Sequence, residues 1–351
     1  MTTISLCMIV KNEASVLERC LDSVADLMDE IIIVDTGSTD NTKEIAKKYT
    51  DKIYDFPWID DFSAARNFSF EKATMEYIYA PDADELLDET NRARFHDLKT
   101  CLLPEIEIVQ MIYLTENEHN TVMNYTREYR PKLFRRLRTF TWIDPIHETV
   151  RLDPVVYNSD IEIIHRPQAS HGKRDFSIFE KSYQRDGVLS PKVLSMYAKE
   201  LLKCGDLQDF EHAKPIFLKP YMQNPFSDAG KEAACILTHY AREMGNIAEM
   251  MKYALRDMLE QPCAEICYEL GCYYETQGDF DEAIVWYQNA AEETSSILDI
   301  RTNGILPLEG LVRCYEAMLP PCTNEDTAKI IRERISDYRT QAENWIMPEE
   351  A

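Results

Sequence analysis

Short apolar runs at 4–10, 30–34, 53–56 and 77–80 alternate with stretches of helical period at 13–28, 41–48 and 63–73. Few sequence features restrict a fold more. A strand apolar throughout must be covered on both faces, and parallel neighbours need a crossover long enough to hold a helix. The first part of the chain is therefore expected to be α/β with a parallel sheet. Val16, Leu17, Cys20, Leu21, Val24 and Leu27 share one helix face, and Ser38-Thr39-Asp40 suits the start of the next helix. Further strands are expected at 107–114, 121–134 and 160–165.

Past about residue 190 the two-residue period is gone. Amphipathic helices are expected at 190–204, 230–244, 247–260, 264–277, 280–294 and 308–319, paired across turns such as Gly245-Asn246 and Gly278-Asp279. Leu270, Gly271, Tyr274, Gly278, Ala283, Tyr287 and Ala290 stand where a tetratricopeptide repeat places its packing residues, so 264–297 resembles one such unit. One helix pair cannot bury its own apolar face, so the degenerate flanks are expected to stack on it as further repeats. The expected division is 1–185 for the α/β domain and 186–351 for the helical one.

Charge removes several functions. Thirty-eight basic against 62 acidic residues leave a formal net charge of −24, spread over both halves, where binding nucleic acid needs a basic face. No apolar run approaches the length of a membrane span, and the first residues lack the basic start and small-residue cleavage site of a leader. The ten cysteines are scattered through apolar stretches without metal-ligand spacing, which predicts buried thiols in a reduced, cytoplasmic protein.

Two acidic motifs carry the chemistry. Asp82-Ala83-Asp84 follows the strand expected at 77–80, so its carboxylates emerge at the carboxyl end of the sheet, where ligands of open α/β sheets bind. Such a pair suits Mg²⁺ or Mn²⁺, hard cations that bridge carboxylates to phosphates. The run 31–34 delivers Asp35 to the same edge, ahead of the tight Thr36-Gly37-Ser38 loop. Asp35 can accept from a base or ribose, or it can cap the next helix. Neither the Gly-x-Gly-x-x-Gly of a dinucleotide fold nor the Gly-Lys-Ser/Thr of a P-loop is present there.

In order, 4–13 (ISLCMIVKNE), 30–40 (EIIIVDTGSTD), 61–67 (DFSAARN) and 81–85 (PDADE) resemble the family-2 nucleotide-sugar glycosyltransferases of GT-A fold, in the bacterial group with tetratricopeptide repeats behind the catalytic domain. Pro81 departs from the family, which usually has an apolar residue before the first Asp. The resemblance implies a nucleotide-sugar donor, with Val10, Lys11, Asn12 and Glu13 lining the nucleotide pocket. It places Asp35, with Gly37 and Ser38, at a uracil-like base, Arg66 at the diphosphate, and Asp82 and Asp84 at the metal. His165, at the end of the run 161–164, is a further metal or phosphate ligand. Trp142 to Glu148 resembles the family's Ile-His-Glu segment, so Glu148, His147 and Asp144 are alternative bases for deprotonating an acceptor.

Arg127, Arg130, Lys132, Arg135, Arg136 and Arg138 form the dense basic run of an otherwise acidic chain, with Arg135 taken as its donor-binding member. Lys173 and Arg174 are read as part of a loop near the domain junction. The expected reaction is an inverting, metal-dependent transfer from a UDP-sugar to a peptide or protein side chain. Extension of a cell-surface saccharide is the alternative. The helical repeats would present a face to the acceptor or to a second subunit in a homodimer. Two rival readings are a repeat scaffold that only binds a nucleotide and a nucleotidyltransferase, although the latter wants a Gly-rich, basic first loop that Lys11-Asn12-Glu13 does not provide.

Overall fold

The computed structural model describes residues 1–115, 127–136, 142–143, 146, 149–150, 154–166, 172–257 and 262–347. They fall into two compact units, divided between Ser182 and Tyr183.

The first unit contains β1 (Ile4–Val10), α1 (Leu17–Val24), β2 (Glu30–Asp35), α2 (Thr42–Ala46), β3 (Ile53–Asp55), α3 (Phe62–Glu71), β4 (Tyr77–Tyr79), β5 (Glu85–Leu86), α4 (Glu89–Cys101), β6 (Ile108–Thr115), β7 (Arg127–Arg135), β8 (Trp142–Ile143), β9 (Thr149–Val150) and β10 (Val156–His165). Eight strands form one sheet in the order β3-β2-β1-β4-β7-β6-β10-β5, and β8 pairs with β9 separately. β1 to β4 run parallel to one another, whereas β7 is antiparallel to both β4 and β6. This reversal restores β6 and β10 to the direction of β4. The sheet is mixed, of the GT-A type that the motifs imply, and not wholly parallel.

β1 lies under apolar layers on both sides. Ile4, Leu6, Met8 and Val10 join a cluster with Leu17, Leu21 and Val24 of α1 and Phe95 of α4, while Cys7 meets Ile32, Val34 and Ile78 in another. This double burial explains why the early strands read as unbroken apolar runs.

The expected helix at 13–28 begins only at Leu17. Asn12 has a left-handed backbone, with φ of 58°, and the amides that follow bond across to the neighbouring loop. Asn12 N–H donates to Ser38 Oγ at 2.9 Å, Glu13 N–H to Thr42 Oγ1 at 2.8 Å and Ala14 N–H to Asp40 Oδ2 at 3.1 Å. α4 was not expected. Asp88 caps it by accepting from Asn91 N–H, but its buried face is narrow, with Phe95 and Leu98 as the large apolar members. The segment read as a loop at Lys173 and Arg174 belongs to α5 (Gly172–Asp186).

The second unit continues with α6 (Pro191–Cys204), α7 (Leu207–Gln223), α8 (Asp228–Glu243), α9 (Ile247–Asp257), α10 (Ala264–Gln277), α11 (Phe280–Gln288), α12 (Ile305–Met318) and α13 (Glu325–Glu343). α7 packs on α8, α8 on α9, and α10 to α13 each on the next. Gly278, at φ of 75°, ends α10 in the left-handed conformation a glycine adopts without strain. The Tyr287 ring of α11 lies between Gly271 of α10 and Gly310 of α12. A Cβ on either glycine would sit 2.6 Å from ring carbons. Small residues at those two positions let three helices close around one aromatic ring.

Candidate functional site

The carboxyl ends of β1, β2, β4, β6 and β10 share one edge of the sheet, where the expected chemistry gathers. Val10 pairs with Asp35 in register, so the ends of β1 and β2 lie side by side. Asp35 is buried, and its Oδ2 accepts from Gly37 N–H at 3.1 Å and Ser38 N–H at 3.0 Å. Gly37 has φ of 104°, which lets the loop fold back on that carboxylate. Lys43 Nζ lies 3.5 Å from the same oxygen. Oδ1 is buried with no partner. An unpaired carboxylate oxygen out of water is costly, and a ligand N–H would satisfy it. Asp35 thus organises its own loop and keeps one acceptor for a guest.

Asn12 and Ser38 join the loops after β1 and β2. Asn12 Oδ1 accepts from Thr39 N–H at 2.7 Å, and Ser38 Oγ takes the Asn12 amide, so both side chains clasp two loops together. Lys11 is exposed, with its ammonium 5.7 Å from the centre of the Trp58 ring. Glu13 is half-buried beside the Val16 and Leu17 amides that its carbonyl accepts.

Past β4 the chain turns sharply. Glu85 N–H donates to Asp82 O, while Asp82 N–H donates to Glu85 Oε2, both at 3.2 Å. Asp82 and Asp84 face different partners across this turn. The Asp82 side chain is 42% exposed, with Arg66 Nη2 at 3.3 Å and Lys132 Nζ at 3.5 Å. Burial works to raise its pKa, but Lys132 and Arg66 hold the carboxyl well below the usual range. Asp84 Oδ2 lies 3.0 Å from His165 Nε2, and His165 Nδ1 is buried without a partner. The Tyr113 ring supports this corner, 5.1 Å from the His165 ring and 3.8 Å below the Arg130 guanidinium. Asp84 and His165 offer carboxylate and imidazole donors that fit a hard or borderline divalent cation, with Asp82 beside them.

Arg66 reaches the site from α3, whose start is capped by Asp61 Oδ1 accepting from Ala64 N–H at 3.0 Å. It is buried, not an ordinary solvent-facing helix residue. Arg135 is a correction. Paired with Tyr77 at the start of β4, it lies toward the amino edge of the sheet because β7 runs antiparallel, and the site is at the other edge. The member of the basic run that reaches the site is Lys132, whose carbonyl accepts from Ala80 N–H at 2.9 Å and whose ammonium is 2.6 Å from Glu85 Oε1. Lys132 and Glu85 were not singled out by sequence. Lys132 is buried together with Leu133 and Phe134, so two-residue alternation does not mark it. Asp144, His147 and Glu148 lie outside the described residues.

Comparison with known proteins places these motifs. Residues 5–97 match the family model of glycosyl transferase family 2, and residues 264–295 match that of a tetratricopeptide repeat. A TPR repeat-containing protein of Synechococcus elongatus is 40% identical over 150 residues, covering 43% of this chain and 36% of that protein. The SPbeta prophage-derived glycosyltransferase SunS of Bacillus subtilis is 33% identical over 170 residues, covering 45% and 36%. The chain thus spans about a third of the length of these two relatives. Among solved structures, glucosyl-3-phosphoglycerate synthase from Mycobacterium tuberculosis, with Mn²⁺, UDP and glucosyl-3-phosphoglycerate, aligns at a TM-score of 0.40. The identity is 17%, over 54% of this chain and 81% of that one. A family-2 glycosyltransferase segment followed by a tetratricopeptide repeat bears out the resemblance read from the motifs.

Proposed function

We propose that this chain is a nucleotide-sugar glycosyltransferase that moves a sugar from a UDP-linked donor to an acceptor, with inversion and with Mn²⁺ or Mg²⁺. One observation carries the reading: a buried Asp with an unsatisfied oxygen and an acidic turn flanked by buried cations share the carboxyl edge of the sheet. Asp35 Oδ1 would accept the ring N–H of a uracil. Arg66 would meet the diphosphate, where negative charge grows as the bond to the sugar breaks. Asp84 and His165 would hold the divalent ion, with Asp82 alongside, and that ion supplies further charge neutralisation for the leaving group. An inverting displacement also needs a base on the opposite face of the sugar, and Glu148, His147 and Asp144 are the proposed residues for it.

The acceptor we favour is a peptide or protein side chain, with a saccharide as the alternative, presented by the helical unit or by a second copy of it. Among the described residues no helix is long and apolar enough to cross a membrane. We also propose a cytoplasmic setting, in which ten scattered cysteines stay thiols.

The deciding experiment is a panel of nucleotide sugars tested for binding and slow hydrolysis with and without Mn²⁺. A glycosyltransferase releases UDP from one of them in a Mn²⁺-dependent way. A nucleotide-binding scaffold binds and releases nothing, and a nucleotidyltransferase releases pyrophosphate from a nucleoside triphosphate.

A further inference from the structure

We propose that Lys132 is a positioning residue, its buried ion pair with Glu85 pinning the Asp82–Glu85 turn and so setting the direction of both acidic side chains. The functional half of this inference rests on the reading of the site as a metal and diphosphate centre.

Glu85 is buried, with 1% of its side chain exposed, and each of its oxygens has a separate task. Oε2 accepts from Asp82 N–H, at the start of the turn. Oε1 accepts from Lys132 Nζ at 2.6 Å. The carboxylate therefore ties the turn to β7, and the ammonium supplies its counter-charge. Lys132 is fixed from its other end, because its carbonyl accepts the Ala80 amide just past β4. Glu85 also opens β5 and pairs with His165 of β10, while Arg166 N–H donates to Asp84 O at 3.1 Å. The turn is thus held by backbone on the β10 side and by the Lys132 ammonium on the β7 side.

Arg66 and Arg130 are other cations near this cluster, Arg66 on Asp82 and Arg130 over the Tyr113 ring. With the ammonium removed, Glu85 loses its bond to β7 and the turn loses that anchor.

Full-length Lys132→Met, Glu85→Gln and the double variant test this, read by hydrogen exchange at the Asp82 and Glu85 amides and by binding of Mn²⁺ and UDP. In Lys132→Met, exchange at those amides should rise about tenfold while β1 amides stay protected, with Mn²⁺ and UDP binding about tenfold weaker. The double variant, in which the pair is absent altogether, should exchange as fast and bind as weakly as Lys132→Met. Unchanged exchange in Lys132→Met overturns the proposal. So does a double variant with native exchange but binding as weak as the single variant, since Lys132 would then act by touching the ligand and not through the turn. If the unmodified chain binds neither Mn²⁺ nor UDP, the proposed function fails, and the exchange measurement still decides whether Lys132 pins the turn.

Discussion

Both units bury charge, and they do so differently. In the helical unit Glu269 sits between His239 Nδ1, at 2.8 Å, and Arg242, with its side chain only 7% exposed. Burial works to raise Glu269, but the two cations hold it down at about 2, and His239 is raised in turn by Glu269 against the pull of burial. At the sheet edge of the first unit, Asp82 meets two cations yet stays 42% exposed, Asp35 keeps a bare buried oxygen, and so does His165 a bare ring nitrogen. The same residue types make a closed network in one place and an unfinished one in the other. Unfinished bonding, more than charge itself, marks where a ligand belongs.

That contrast can be broken by substitution. The largest effect is expected for Glu269→Ala, which strands two cations and should cost about 3–5 kcal/mol in urea unfolding with donor affinity unchanged. Altered donor affinity at unchanged stability would erase the distinction between the two networks. The same network sets a pH response. The Glu269 contribution is complete above the ordinary carboxylate value and lost as pH falls through about 2, while that of His239 is complete below 6.5 and lost as pH rises through its raised value. Thermal melts across that range should therefore decline at both ends.

Asp84→Asn should do the reverse, lowering donor turnover roughly 10²- to 10³-fold, about 3–4 kcal/mol of transition-state stabilisation, with little change in melting. Native turnover with unchanged metal dependence would remove Asp84 from the metal. Gly310→Ala sharpens the comparison on the packing side. The new methyl meets the Tyr287 ring, and chemical unfolding should register a loss of about 1–3 kcal/mol. Asp61→Ala should have the smallest effect, about 1 kcal/mol of helix-cap loss, with a modest rise in donor KM because α3 carries Arg66.

Much of the architecture was readable before any coordinates. β1 was placed residue for residue, and β2, β3, β4 and α10 to within a residue or so, because runs buried on both faces and strong helical periods leave little choice. α7 was missed because Pro215 and Pro220 interrupt the pattern, although Asp206 and Asp209 form a capping box that announces its start. α13 was overlooked despite Ala328, Ile331, Ile335 and Tyr338 recurring at three- and four-residue steps.

Local pattern alone was enough for the first four strands, the repeat read at 264–297 and the acidic motifs, since each is written in neighbouring residues. It could not choose which of six basic residues reaches the site. Lys132 and Arg135 lie three positions apart in one strand, and only the reversed direction of β7 beside β4 sends the first toward Asp82 and the second toward the start of β4. Strand direction is settled by long-range pairing, which no local pattern encodes.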